Sequence, residues 1–295
     1  MGTPTPDVSG LLLVDKPAGI TSHDVVAIVR RVVGSQRVGH TGTLDPFATG
    51  LLVVLIRRGT RLIPYIDGEP KVYDATIRFG AETDTDDATG ETVRESELPD
   101  DAATADGIAQ LTGVIDQMPP SYSAKKVGGT RAYAAARRGT ALDLEPARIT
   151  VHRWDVESRD GAELHARIMC SGGTYIRALA RDLGRLTNSA AHLAALRRLQ
   201  SGSFSVDDAY TLDHLRAGDF TMRPLRAAVP SIPTRRVVHA DLVKVLHGNA
   251  INANGESNGE SNAARVALID DEQMLVAIAE REGHELRPKL VLRDV

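Results

Sequence analysis

Apolar positions along the chain follow two spacings, one of period two and one of about 3.6, separated by glycine- and proline-rich breaks. Leu11 to Val14 is an unbroken apolar run ending in Asp15-Lys16-Pro17-Ala18-Gly19, which predicts a buried strand running into a turn. Thr21 and Asp24 stand at capping-box spacing. Val25, Ile28, Val29, Val32 and Val33 then follow on one helical face until Gly34. Leu51 to Ile56 is a second unbroken run and predicts a central strand. Val72 to Phe79 alternates, setting Tyr73, Ala75, Ile77 and Phe79 on one face of a strand. Ala103 to Leu111 predicts a helix, and Ile149 to Val156 and Leu164 to Cys170 predict strands. Ile176, Leu179, Ala180 and Leu183 form the stripe of an amphipathic helix. A basic helix is expected between Pro120 and about Arg138, and another over Ala190 to Leu199.

Strands mixed with helices, without a regular βαβ alternation, indicate the α+β class: a mixed, mostly antiparallel sheet with flanking helices. Past Pro230 and Pro233 the pattern changes to short strand-like runs, Val266 to Ile269, Leu275 to Ile278 and Lys289 to Leu292. The expected division is therefore a large unit over residues 1–228 and a small β-rich unit over 229–295. The Asn-, Gly-, Glu- and Ser-rich tract Asn252 to Asn262 is expected to be a disordered loop.

Composition narrows the function classes. No apolar run reaches the roughly 18 residues of a membrane span, and the polar N-terminus carries no secretory pattern. One cysteine, Cys170, excludes an internal disulfide and a multi-cysteine zinc site. A cytoplasmic protein is expected. The net charge of −4 conceals a division. Residues 121–200 carry 14 Lys/Arg against 7 Asp/Glu, whereas residues 71–110 carry 3 against 11. Such a basic tract either supplies a phosphate-binding face or is a set of solvated helix faces.

The densest chemical signal is Gly39-His40-Thr41-Gly42-Thr43-Leu44-Asp45-Pro46-Phe47-Ala48-Thr49-Gly50, a glycine-hinged loop just before the second apolar run. Asp45 is its one carboxylate and has no acidic neighbour between Val25 and Ile66. An isolated Asp before Pro is a turn residue, a helix cap or a catalytic group. A Walker phosphate loop is excluded, because Gly-Lys-Ser/Thr is absent.

This stretch resembles the catalytic-loop signature of the TruB family of tRNA pseudouridine synthases. Leu13 to Ser22, Pro119 to Arg131 with its Tyr122-Ser123-Ala124, Gly173-Thr174-Tyr175-Ile176-Arg177 and Leu196-Arg197-Arg198-Leu199 resemble further motifs of that family, in the same order. The resemblance implies a pseudouridine synthase that isomerises uridine 55 in the T-loop of tRNA, with Asp45 as catalytic carboxylate and no cofactor. It assigns Tyr73 to stacking and proton transfer, and Arg177 to pairing with Asp45. It places His40 against the flipped-out loop, Tyr175 and Leu196 around the uracil and Asp87 near the entrance. Lys16, Lys125, Lys126, Arg131, Arg137 and Arg138 would meet phosphates. Taken singly, Tyr73 and Leu196 also fit core positions, Arg177 a solvated helix face, and His40 and Asp87 surface turns. The family usually ends in a PUA-type RNA-binding module, although residues 229–295 here carry 8 Lys/Arg against 10 Asp/Glu.

The implied partner is the T-arm stem-loop of tRNA, with no membrane, no obligatory protein partner and a monomeric enzyme. Rival readings are an RNA-guided synthase like the dyskerin group, a non-catalytic RNA chaperone and a glycosidase. The last needs paired carboxylates that the motif does not supply. Truncation near Pro230 is expected to weaken RNA binding more than turnover.

Overall fold

The computed structural model describes residues 8–122, 126–127, 130–131, 144–253 and 263–293. The strands of its main sheet are β1 Gly10–Lys16, β2 Val38–Thr41, β3 Thr49–Ile56, β4 Lys71–Phe79, β5 Gly113–Gln117, β6 Ala147–Asp160, β7 Glu163–Cys170 and β8 Ala191–Ser201. Their order is β1-β3-β8-β4-β7-β6-β5, with β2 paired on β3 and the short strand Tyr210–Thr211 beyond β1. Pairing is antiparallel except between β3 and β8 and between β1 and Tyr210–Thr211. The sheet is mixed and mostly antiparallel, as the sequence predicts.

Side-chain alternation explains the two unbroken apolar runs. In β1 and β3, Leu12, Val14, Leu52, Val54 and Ile56 pack toward helix α1 (Ser22–Val32). Leu11, Leu13, Leu51, Val53 and Leu55 enter a second core on the opposite face. Both faces are covered, so neither strand has a polar side. In β4 only one face is buried. Tyr73, Ala75, Ile77 and Phe79 pack with helices α2 (Asp101–Gln110) and α3 (Ile176–Leu186), while Asp74, Thr76 and Arg78 alternate with them.

Residues 190–199 correct the expectation of a helix, because they form β8 between β3 and β4. Register shifts between Leu193 and Ala195 and between Arg198 and Gln200 each add a residue. Those bulges change the phase of the strand, so Leu193, Leu196 and Leu199 fall at a spacing of three that imitates a helix. In the expected basic helix, Lys126–Val127 and Thr130–Arg131 instead pair as an antiparallel ribbon. Lys125, Arg137 and Arg138 lie outside the described residues, as does most of the 252–262 tract.

The C-terminal strands are β9 Thr234–Arg236, β10 Ile251–Asn252, β11 Arg265–Ile269, β12 Leu275–Glu282 and β13 Glu285–Val291, ordered β9-β11-β12-β13-β10. Helix α4 (Leu212–Ala217) packs near α1, and α5 (His239–Leu246) packs on this second sheet. The second sheet shares a core with the first. Ala267, Ile269, Leu275, Ile278, Leu290 and Leu292 pack in one cluster with Leu11, Leu13, Leu51 and Leu55. Arg58 Nη1 donates to Leu292 O at 2.8 Å and Arg61 Nη1 to Val291 O at 2.6 Å across the same seam. No helix among the described residues is long and apolar enough to cross a membrane.

Candidate active site

The loop carrying Asp45 joins β2 to β3 and is fastened from below. The buried Ser22 Oγ accepts from Leu44 N at 2.9 Å and donates to Leu44 O at 3.1 Å, so one hydroxyl satisfies both backbone groups beside Asp45. Leu44 and Ala48 are buried on either side. Gly19 N donates to Pro46 O at 2.8 Å. Lys16 lies wholly buried, donating to the carbonyls of Pro17, Ile20 and Pro46 at 2.9, 2.7 and 3.2 Å. Burial pulls the Lys16 ammonium down to about 8, against the opposing pull of Asp45.

Asp45 is held by a fork. Arg177 Nε donates to its Oδ2 at 2.8 Å and Arg177 Nη2 to its Oδ1 at 3.1 Å. The Arg177 side chain is 4% exposed and that of Asp45 36%, so the cation is buried and the carboxylate reaches solvent. Two further Arg177 donors go to Thr85 O at 2.8 Å and Tyr122 O at 2.9 Å. Asp87 stands behind, its Oδ2 3.6 Å from Arg177 Nε. Its Oδ1 accepts from Thr85 Oγ1 and Thr89 N, both at 2.9 Å, and from Thr89 Oγ1 at 2.5 Å.

The helix that presents Arg177 repeats this chemistry every turn. Arg177, Arg181 and Arg185 of α3 lie four residues apart and face Asp87, Asp86 and Glu82 in turn. Arg181 Nη1 donates to Asp86 Oδ2 at 3.0 Å and Nη2 to Met118 O at 2.8 Å. Burial pushes the Asp86 carboxyl up to about 6, with Arg181 and Arg177 opposing. Tyr175 caps the helix through its backbone: Gln117 Oε1 accepts from Tyr175 N at 2.9 Å and Gln117 Nε2 donates to Tyr175 O at 3.0 Å.

Tyr73, on β4, is buried at 6% exposure. Burial raises the pKa of its hydroxyl, while the charge and hydrogen bonding of Arg198 work against that rise and Asp45 adds to it. His40, half-buried on β2, is held below its ordinary pKa by burial and then by the charges of Arg198 and His23. Alongside the loop runs a cleft of about 510 Å³ whose walls include Ala18, Phe47, Thr49, Asp74, Leu196 and Arg197. Thr49 Oγ1 donates to Leu196 O at 3.4 Å, tying the end of the loop to that wall. Among the described residues no group of three or more His, Cys, Asp or Glu converges to hold a metal ion.

Residues 30–176 match the family model of the TruB family pseudouridylate synthase N-terminal domain. Residues 177–229 match that of the tRNA pseudouridylate synthase B C-terminal domain. A tRNA pseudouridine synthase B from Thermobifida fusca is 46% identical over 293 residues, 96% of this chain and 98% of the relative. The chain belongs to the TruB family. The corresponding protein of Paenarthrobacter aurescens is 44% identical over 96% of this chain and 95% of its own. In fold, the TruB-family chain is similar to a chain of an archaeal box H/ACA Nop10–Cbf5 complex, with a TM-score of 0.72 at 23% identity over 99% of this chain and 91% of that one. A chain of an H/ACA ribonucleoprotein bound to a substrate RNA gives a TM-score of 0.71 at 22% identity, covering 96% of this chain and 85% of that one.

In this TruB-family protein the residues singled out from sequence do not all play one part. Asp45, Arg177 and Asp87 form one linked group, Tyr73 and His40 share the influence of Arg198, and Leu196 walls the cleft. Lys16 departs from its expected place at a phosphate, because its ammonium is buried against three carbonyls beneath the loop. Sequence reasoning gave no part to Ser22, Arg181 or Arg198. The signal for Arg198 is an arginine pair set between Leu196 and Leu199, and the helical reading of residues 190–199 gave no reason to bury it.

Proposed function

We propose that this enzyme isomerises uridine 55 in the T-loop of tRNA, with Asp45 as the reacting carboxylate and no cofactor. One observation carries the reading: a carboxylate open to solvent, with each oxygen fixed by a buried arginine fork. The shared name of the relatives, tRNA pseudouridine synthase B, supports tRNA as the substrate.

The reaction breaks the N1–C1′ bond of the nucleoside, turns the uracil and joins C5 to C1′. The C5 proton leaves and N1 gains one, so no oxidant or co-reactant is consumed. A uridine stacked in a folded loop must first be extruded into a pocket. Each Asp45 oxygen accepts one bond from Arg177 and keeps lone-pair capacity for a nucleophilic or basic role toward base or sugar. Tyr73 presents its ring for stacking and its hydroxyl for proton transfer. His40, Tyr175 and Leu196 bound the nucleoside, and Asp87 holds Arg177 from behind. Residues 229–295 act as a PUA-like module alongside the catalytic unit. The enzyme works as a monomer in the cytoplasm, without a guide RNA or obligatory protein partner.

The test is mass-spectrometric mapping of an unmodified tRNA transcript incubated with the pure protein. One pseudouridine, at position 55, is expected. Modification at a different position, or none, overturns the assignment.

A further inference from the structure

Arg198 is the largest of the fully buried side chains among the described residues. It makes no ion pair among those residues, which is an unusual state for a charge removed from water. Its donors go to the protein backbone instead. Nε donates to Leu51 O and Nη2 to Gly42 O, each at 2.8 Å. Those two carbonyls bracket the Asp45 loop, one on each side. Gly42 has a φ of +65°, and a Cβ there would stand 3.2 Å from Arg198 Nη1, so the loop closes directly onto the guanidinium. At the other end a Cβ on Gly50 would stand 2.3 Å from Arg198 O, so loop and β8 are in backbone contact.

The same residue faces the opposite half of the site. In the register of β8 on β4, Arg198 is the partner of Tyr73, so the two side chains rise from the same face of the sheet and the guanidinium charge acts on the tyrosine hydroxyl. β8 pairs with β3 on one side and β4 on the other, and this one side chain spans the gap between the elements that carry Asp45 and Tyr73.

We propose that Arg198 is a positioning residue of the reaction, fixing both ends of the Asp45 loop and setting them beside Tyr73 on the neighbouring strand. The inference rests on the reading of Asp45 and Tyr73 as the groups that act on the nucleoside. A displacement of about 1 Å at reacting groups costs on the order of 10²-fold in rate. Replacing Arg198 should therefore lower kcat by about that factor while leaving KM for tRNA within a few-fold.

The experiment compares Arg198→Met and Arg198→Lys on unmodified tRNA transcript, each with Tyr73 intact and as Tyr73→Phe, with melting followed in parallel. The lysine, which keeps the charge and part of the donor set, should recover part of the kcat lost in the methionine variant. The loss in kcat should also be several-fold smaller in the Tyr73→Phe background, because the alignment of the Asp45 loop with the tyrosine hydroxyl is then already without effect. Should Arg198→Met fail to fold, Arg198→Lys in the two backgrounds gives the same comparison. Wild-type kcat in either folded variant, or a loss that is equal with and without the Tyr73 hydroxyl, overturns the proposal. Those outcomes leave the role of Asp45 standing if Asp45→Asn is inactive. An active Asp45→Asn removes the underlying reading instead.

Discussion

At Asp45 the chain combines two demands that usually conflict, exposure to substrate and a fixed geometry. The loop backbone supplies rigidity through Ser22 and Lys16, and Arg177 fixes the carboxylate from its buried side. Asp45→Asn retains the shape but replaces one oxygen with a donor that opposes an Arg177 N–H. Turnover of unmodified tRNA should fall below detection while binding in a filter assay survives; measurable turnover removes Asp45 from the chemistry. Tyr73→Phe should slow the reaction with little change in affinity, and an unchanged rate frees the hydroxyl from any role. Removing the arginine has a different consequence. Arg177→Met leaves Asp45 able to hydrate, but Asp87, with its side chain 7% exposed, loses its cation inside the protein. Breaking such a pair from one side costs about 3 kcal/mol, so chemical denaturation should show a loss near that size. Asp87→Asn combined with Arg177→Met should recover part of it.

At the scale of elements, α3 is a ladder of arginines against an acidic turn, and its middle rung titrates in an accessible range. The Asp86 carboxyl is pushed up to about 6 by burial from an ordinary value of 3.8. Between those values the native chain holds a proton that the unfolded chain has already released. The contribution of this group is therefore full below pH 3.8 and lost as pH rises through 6. That trend runs opposite to the usual salt-bridged carboxylate. The shift corresponds to about 3 kcal/mol for this buried group. In urea titrations from pH 4 to 6.5, Asp86→Asn should gain stability relative to wild type by up to that amount as pH rises; a constant difference across the window refutes the assignment. The ladder was half legible in the sequence. The i, i+4 spacing of Arg177, Arg181 and Arg185 is explicit, as is the cluster Asp84, Asp86 and Asp87, but nothing local says that the two face each other. β8 was not legible, because its bulges erase the period-two signal by which a strand is recognised.

Across the whole molecule, the second sheet is part of the support of the first. Leu290 and Leu292 fill the same core as Leu11 and Leu13, and β3 of that core leads directly out of the loop of Asp45. Ending the chain near Pro230 would expose that apolar face to water. The expectation that truncation separates binding from turnover is replaced by another: the truncated chain should lose stability and soluble yield. A milder probe is Leu292→Ala, which should cost about 2–4 kcal/mol and lower the melting of the entire protein in one transition. A separate early transition, with activity retained beyond it, would show that the two sheets unfold independently.

Local chemistry determined what the sequence alone could fix: the glycine hinges and lone acid of residues 39–50, the capped helix at Thr21, and the alternation that buries one face of Val72 to Phe79. Each of these is a relation between residues a few positions apart. The tertiary structure alone decided that Lys16 faces inward, that residues 191–201 enter the sheet as a strand, and that Arg198 joins Gly42 and Leu51 beside Tyr73. The last two connect residues more than a hundred positions apart and the first reaches thirty positions to Pro46, because burial leaves a charged side chain no solvent and only the carbonyls that folding brings within reach.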